Sequence, residues 1–253
     1  GMEVIVSNKL YGGTINLMGK SFRKFGWNAV FVDNDNPEAF RAAVTEKTRA
    51  IFVESLANPG GVIVDLEAIA KIAQEAEVPL IVDNTMATPW LCRPFEWGAD
   101  LVVHSTTKFL SGQGNAMGGI VIDSGRFPWF GNAKYPSLSE PCPDYNGLTF
   151  AETFGDMAFT LYSHAVSLRD LGCTQSPMNA WITLNGVETL PLRMERHFEN
   201  AQKVAGFLQQ HPSVEWVSYA GLSSSPYYQL AQKYLQGKAG SVFTFGIRGG
   251  YES

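Results

Sequence analysis

The stretch PLIVDNTMATPWLCRPFEWGADLVVHSTTKFLSGQG, residues 79–114, contains two apolar runs that each end in polar side chains. "PLIVDN" (79–84) closes on Asp83, and "ADLVVHS" (99–105) runs out through Ser105, Thr106 and Thr107 to Lys108. Both are apolar at consecutive positions, as expected for strands of a largely parallel sheet covered by helices on both faces. A surface lysine needs no cluster of hydroxyls before it. One that must lose its proton and attack a carbonyl is served by such a setting.

The rest of the first half repeats the alternation. "EVIVS" (3–7), "NAVFVD" (28–33), "RAIFVE" (49–54) and "GGIVID" (118–123) read as further strands. A helical pattern over 12–26 separates the first two. Asn36-Pro37-Glu38 reads as a helix start, with Asn36 as cap and proline at the first position. Asp65 caps "LEAIAKIAQEA", whose Leu66, Ile69, Ala70 and Ala73 recur at helical spacing. This is an α/β pattern. Residues 124–159 change character, becoming rich in aromatics, proline and glycine, and read as a long structured excursion. Beyond them a helical stretch over 179–210 should be kinked or divided by Pro191. A strand (215–220), a helix (225–235) and a strand (240–247) follow. The expected division is a large domain over 1–159 and an incomplete second domain, reached through linker helices, over 160–253.

The 253 residues are 45% hydrophobic and 17% charged, with a formal net charge of −5. Mean hydropathy is −0.05 and the pI is about 5.4. This balance argues against nucleic acid and anionic membrane surfaces as main partners, which need a concentrated basic face. No apolar run approaches the ~20 residues that span a bilayer, and "GMEVIVSNKL" lacks a signal-peptide pattern. Cys92, Cys142 and Cys173 are too widely spaced for a zinc knuckle and read as reduced thiols in a cytoplasmic protein. The four histidines show no paired-ligand spacing, so no metal site is expected.

Four strand ends carry polar groups: Tyr11 in "SNKLYGGT", Glu54 and Asn58 in "IFVESLANPGG", Asp83 and Thr85, and Ser105, Thr107 and Lys108. Each alone has an ordinary structural reading as a turn, cap or solvated side chain. Ligands in doubly wound sheets gather beyond the carboxyl ends of the strands, and one cofactor accounts for the set. Pyridoxal phosphate needs a Schiff-base lysine and a carboxylate that keeps its pyridine nitrogen protonated. It also needs donors for its phosphate and an aromatic ring to stack on. Lys108 suits the first role and Asp83 the second. Ser105 and Thr107, two residues apart on an extended chain, suit the phosphate.

"LYGGT", "ESLANPGG", the Asp83-to-Lys108 block and "GGIVIDSG" resemble the Cys/Met-metabolism family of pyridoxal-phosphate enzymes, and are most similar to its O-acetylhomoserine sulfhydrylase branch. The similarity runs along essentially the whole chain, including "LNGVETLPLRMERHFENA" (184–201). It implies an α/β fold-type I, aminotransferase-like, mostly parallel sheet with part of a smaller α+β C-terminal domain. It implies Lys108 and Tyr11 as catalytic residues, Tyr11 stacking on the pyridine ring and using its phenol as acid or base. It further implies Asp83 as the pyridinium partner, Ser105 and Thr107 as phosphate ligands, Asn58 at the phenolic oxygen or substrate, and Thr85 against the other ring face. Glu54 is left as a supporting residue. The implied reaction is γ-replacement on O-acetylhomoserine by sulfide, giving homocysteine for methionine biosynthesis, in a homo-oligomer (dimer or tetramer).

Family members extend further at both ends, where they carry a glycine-containing phosphate loop, a tyrosine and arginine for the neighbouring subunit's phosphate, and the arginine that clamps the substrate carboxylate. The expectation is therefore a truncated chain with poor activity by itself. Cystathionine γ-synthase or lyase, methionine γ-lyase and a non-catalytic remnant remain as alternatives. A Rossmann dehydrogenase is disfavoured because "GQGNAMGG" (112–119) lacks G-x-G-x-x-G, and no G-x-S-x-G marks a hydrolase.

Overall fold

In a computed structural model that describes residues 1–250, six strands form one sheet in the order β2-β1-β3-β6-β7-β8. They are β1 (Glu3–Ser7), β2 (Asn28–Val32), β3 (Thr48–Glu54), β6 (Leu80–Asp83), β7 (Leu101–Ser105) and β8 (Gly119–Asp123). β1, β2, β3, β6 and β7 pair in parallel, while β8 lies antiparallel to β7 at the edge. This is the mostly parallel α/β sheet expected of the family. A short antiparallel pair, β4 (Leu56–Ala57) and β5 (Val62–Ile63), encloses the Asn58–Gly61 turn; the sequence pattern had shown only a turn there.

Local chemistry explains most element ends. Asn36 Oδ1 accepts the Glu38 N–H at 3.1 Å, and Asp65 Oδ1 accepts the Ala68 N–H at 3.4 Å. Both serve helix-start donors that have no intrahelical partner. The helix Leu66–Glu75 buries Leu66, Ile69, Ile72 and Ala73 against the sheet, leaving Ala70 half-buried. The pattern over 12–26 resolves into a short α-turn, a π-turn and a 3₁₀-turn. Gly26 ends it at φ +77°, a conformation that glycine adopts without a steric penalty. The expected long helix divides into Pro177–Glu188 and Leu190–Gln210. Pro191 stands in the first turn of the second, where its missing N–H would have had no intrahelical acceptor.

Beyond the long helix, β9 (Val214–Ser218) and β10 (Thr244–Ile247) form an antiparallel pair. Met194, Ala205, Tyr219, Tyr234 and Ala239 belong to the same buried cluster as Ile51, Val82 and Leu66. The aromatic excursion builds a second core around Phe127, Trp129, Leu138 and Phe150, with Trp129 stacked on Phe159 at 5.4 Å between ring centres. Among the described residues no helix is long and apolar enough to cross a membrane, and no group of three or more His, Cys, Asp or Glu could hold a metal ion.

His104 on β7 is 4% exposed and its Nδ1 has no hydrogen-bond partner. Burial pushes its pKa down from 6.5 to about 4, so the folded chain holds it neutral. Between those values a proton binds the unfolded chain in preference to the folded one. The stabilisation is complete above pH 6.5 and is lost as pH falls to 4. In urea titrations across that window, the wild type is expected to lose about 3 kcal/mol more than His104→Leu. A second expectation concerns Gly186 in the helix Pro177–Glu188. A Cβ there would stand 2.3 Å from the Ser111 carbonyl oxygen and 2.4 Å from that of Leu110. Gly186→Ala should therefore lower stability by about 1–3 kcal/mol, read as a lower urea midpoint.

Candidate active site

Side chains alternate across each strand. Ile51, Val53, Val82 and Val102 face the main core, while Phe52, Ile81 and Val103 face Val6 and Met18 on the opposite side. Continuing the alternation one step places Glu54 and Asp83 on the second face, and Ser105 two residues past Val103 joins them. The register pairs Glu54 with Asp83 and Asp83 with Val103. Three polar side chains thus stand together at the carboxyl ends of three adjacent parallel strands, where open α/β sheets place ligands.

Asp83 is half-buried, and burial raises its pKa above the usual carboxylate value. The Thr85 hydroxyl and N–H oppose that shift, the N–H donating to Asp83 Oδ1 at 2.9 Å. Thr85 Oγ1 also accepts the Ser105 N–H at 2.8 Å. One threonine therefore ties the end of β6 to the end of β7. Among the described residues no lysine or arginine forms an ion pair with Asp83. A half-buried carboxylate of this kind could hold a cation that arrives with a ligand.

On the other face, Ser55 donates to Asn84 Oδ1 at 2.7 Å, and Asn84 Nδ2 donates to the Cys92 carbonyl at 2.9 Å. Ser55 and Asn84 are both buried. This network holds the strand ends from beneath, so Asp83 projects from a fixed backbone.

Ser105 is the last residue of β7, and the chain then turns through Thr106–Leu110. Lys108, at φ −87° and ψ −125°, breaks that turn's helical path and presents an exposed side chain. Its carbonyl accepts the Gly112 N–H at 2.9 Å. Thr107 departs from the extended geometry expected of it. The strand has ended, and Thr107 Oγ1 accepts the Gly118 N–H at 3.1 Å. The hydroxyl in turn donates to the Gly118 carbonyl at 3.3 Å, so both polar groups of Gly118 are met by one side chain. The segment is braced from behind by Gly186 and by Arg193. Arg193 Nη2 donates to the Gly186 carbonyl at 2.7 Å. Its guanidinium also lies so close over Gly112 that a Cβ there would meet Nη1 at 2.4 Å.

Tyr11 and Asn58 enter from loops. Tyr11 is 51% exposed, and its ring covers Gly13, where a Cβ would sit 2.6 Å from the ring edge. The Tyr11 N–H donates to Glu54 Oε1 at 2.7 Å and the Asn58 N–H to Glu54 Oε2 at 3.1 Å. Sequence alone leaves Glu54 as a supporting residue, and the structure shows it to be the acceptor that both loops share. Its signal was a carboxylate closing a strand that is otherwise buried and apolar.

A family model described as "Cys/Met metabolism PLP-dependent enzyme" matches residues 1–253. The chain is 51% identical to an O-acetyl-L-homoserine sulfhydrylase of Leptospira meyeri, covering 100% of this chain and 59% of that protein. It is 46% identical to O-acetyl-L-homoserine sulfhydrylase 1 of Thermus thermophilus, covering 100% and 60%. A crystal structure of a putative O-acetylhomoserine (thiol)-lyase from Campylobacter jejuni, which carries N'-pyridoxyl-lysine-5'-monophosphate, superposes with a TM-score of 0.95 at 39% identity. That match covers 98% of this chain and 62% of the other. The chain thus spans about 60% of the length of these relatives. Matched along all of its residues, it belongs to the Cys/Met metabolism family of pyridoxal-phosphate-dependent enzymes.

Proposed function

We propose that the chain is the cofactor-binding part of an enzyme that replaces the acetoxy group on the γ-carbon of O-acetyl-L-homoserine with sulfide, giving homocysteine and acetate. The observation that carries the site reading is the strand register that puts Asp83 and Ser105 on one sheet face, with Lys108 in the turn that follows. The choice of substrate rests on the similarity to O-acetylhomoserine sulfhydrylases over nearly the whole chain.

When bound, pyridoxal phosphate supplies the electron sink for negative charge that develops on the substrate's carbons. Asp83 holds a proton on the pyridine nitrogen, and burial strengthens that pairing by excluding competing water. Ser105 and Thr107 would hold the phosphate, the Thr107 hydroxyl exchanging its Gly118 carbonyl acceptor for a phosphate oxygen. Lys108 would hold the cofactor through its aldehyde carbon and would move protons at the substrate's α- and β-carbons. Tyr11 would stack on the ring and present its phenol as acid or base. Asn58 would contact the phenolic oxygen or the substrate, and Thr85 would lie against the other ring face while fixing Asp83 and Ser105. Cytoplasmic location and homo-oligomeric assembly, as dimer or tetramer, belong to the same proposal. Assembly is supported by the exposed apolar side chains Trp181 and Leu184, one helical turn apart on Pro177–Glu188.

Incubation with pyridoxal phosphate is expected to give a visible absorption band, and borohydride with peptide mapping should place the adduct on Lys108. An adduct on another lysine overturns the site. Any turnover of O-acetylhomoserine with sulfide should yield homocysteine; release of a 2-oxo acid instead points to a lyase. Asp83→Asn should still form the Lys108 adduct yet slow turnover by roughly 10²-fold or more. Loss of binding with unchanged chemistry per bound cofactor would contradict the role given to Asp83.

A further inference from the structure

Glu54 is 4% exposed at the end of β3, and its two carboxylate oxygens serve two different loops. One accepts the backbone N–H of Tyr11, the other that of Asn58. Each loop has further contacts of its own. The Tyr11 ring lies on Gly13, which has no Cβ to push it away. The Asn58–Gly61 turn is held by Ser218, whose hydroxyl donates to the Gly60 carbonyl at 3.1 Å. Gly61, at φ +62°, comes so close to the Val242 carbonyl that a Cβ there would stand 2.6 Å from its oxygen. The Asn58–Gly61 turn thus has two outer contacts, the Tyr11 ring packs on its own segment, and the contact the two loops share is Glu54.

We infer that Glu54 is a positioning residue of the active site: a single carboxylate that sets the Tyr11 ring and the Asn58 side chain at fixed places over the face carrying Asp83. The inference rests on the proposed function for what Tyr11 and Asn58 touch, but the clamp itself is defined by the chain's own hydrogen bonds. A carboxylate here is unfavourable for stability alone. Burial, with Asp83 nearby, raises its pKa to about 7 even though the two N–H donors oppose the shift. An apolar residue would suit the strand, since Ile51, Phe52 and Val53 before it are all buried. What an apolar residue cannot do is accept two N–H donors from separate loops. Two loops that lack direct hydrogen bonds to one another among the described residues are thereby locked into one geometry. Ring stacking and a polar contact made from different loops need that degree of fixing to act together.

Glu54→Gln keeps the shape but has one carbonyl oxygen and an NH2 group, so one of the two backbone donors faces another donor. Residue-resolved amide exchange on the cofactor-free chain is expected to speed by ~10-fold or more at Tyr11, Asn58 or both, with Ile51, Val53 and Val82 unchanged. After loading with pyridoxal phosphate, the visible circular dichroism of the variant should differ from wild type and the dissociation constant should rise several-fold, with the adduct still on Lys108. Unchanged exchange at both amides overturns the clamp. Faster exchange with unaltered dichroism and affinity overturns its role in the site. Should Glu54→Gln lose protection throughout the sheet, Glu54→Asp, with both acceptor oxygens on a shorter stem, is read by the same criteria. A wild-type adduct away from Lys108 would instead defeat the proposed function, and the amide result would still judge the clamp.

Discussion

Parallel pairing of β3, β6 and β7 is the constraint on which the site depends. Side chains alternate strictly across a strand, so a slip of one residue would turn a strand's whole set to the opposite face. The observed register aligns Glu54 with Asp83 and Asp83 with Val103. It is held from both sides, by Ile51, Val53, Val82 and Val102 in the main core and by Phe52, Ile81 and Val103 in the smaller one. Burying both faces makes slippage costly, and the polar ends of the strands are carried to one place as a consequence.

Beyond the strands, order comes from polar groups that each serve two segments. Thr85 accepts the Ser105 N–H while its own N–H reaches Asp83. Ser55, Asn84 and the Cys92 carbonyl form a buried chain beneath the same strand ends. Buried groups of this kind are stabilising only when satisfied, and then they restrict the backbone more than apolar packing does. The candidate site therefore sits on strand ends that are tied to one another. The Lys108 side chain is exposed where the Asp83 carboxylate is partly enclosed, a division suited to one group that must meet a ligand and another that must hold a charge.

The C-terminal part is more than an appendage to the sheet. Gly186 lets its helix lie flush on the carbonyls of Leu110 and Ser111, and Arg193 covers Gly112, so the back of the Lys108 turn is formed by residues far along the chain. Ser218 and Val242 do the same for the Asn58 turn. Both catalytic-side loops are thus braced by a region whose sequence carries no evident chemical motif.

The sequence by itself determined the elements whose causes are local. Consecutive apolar residues mark the strands, of which β3, β6 and β7 pack on both faces while Ile120, Val121 and Ile122 of the edge strand β8 are exposed; Asn36 and Asp65 mark helix starts through their own side chains; Pro191 divides a helix because it has no N–H. Each strand run and the block from Asp83 to Lys108 were legible for the same reason, since each lies in a short span of chain, while the family was legible from similarity along the whole of it. Tertiary structure alone decided that Glu54 accepts the N–H groups of Tyr11 and Asn58, that Thr107 turns from the strand to meet Gly118, and that Gly186 must lack a side chain. Each of those facts depends on how closely segments remote in sequence approach one another, and no local pattern of residues encodes that distance.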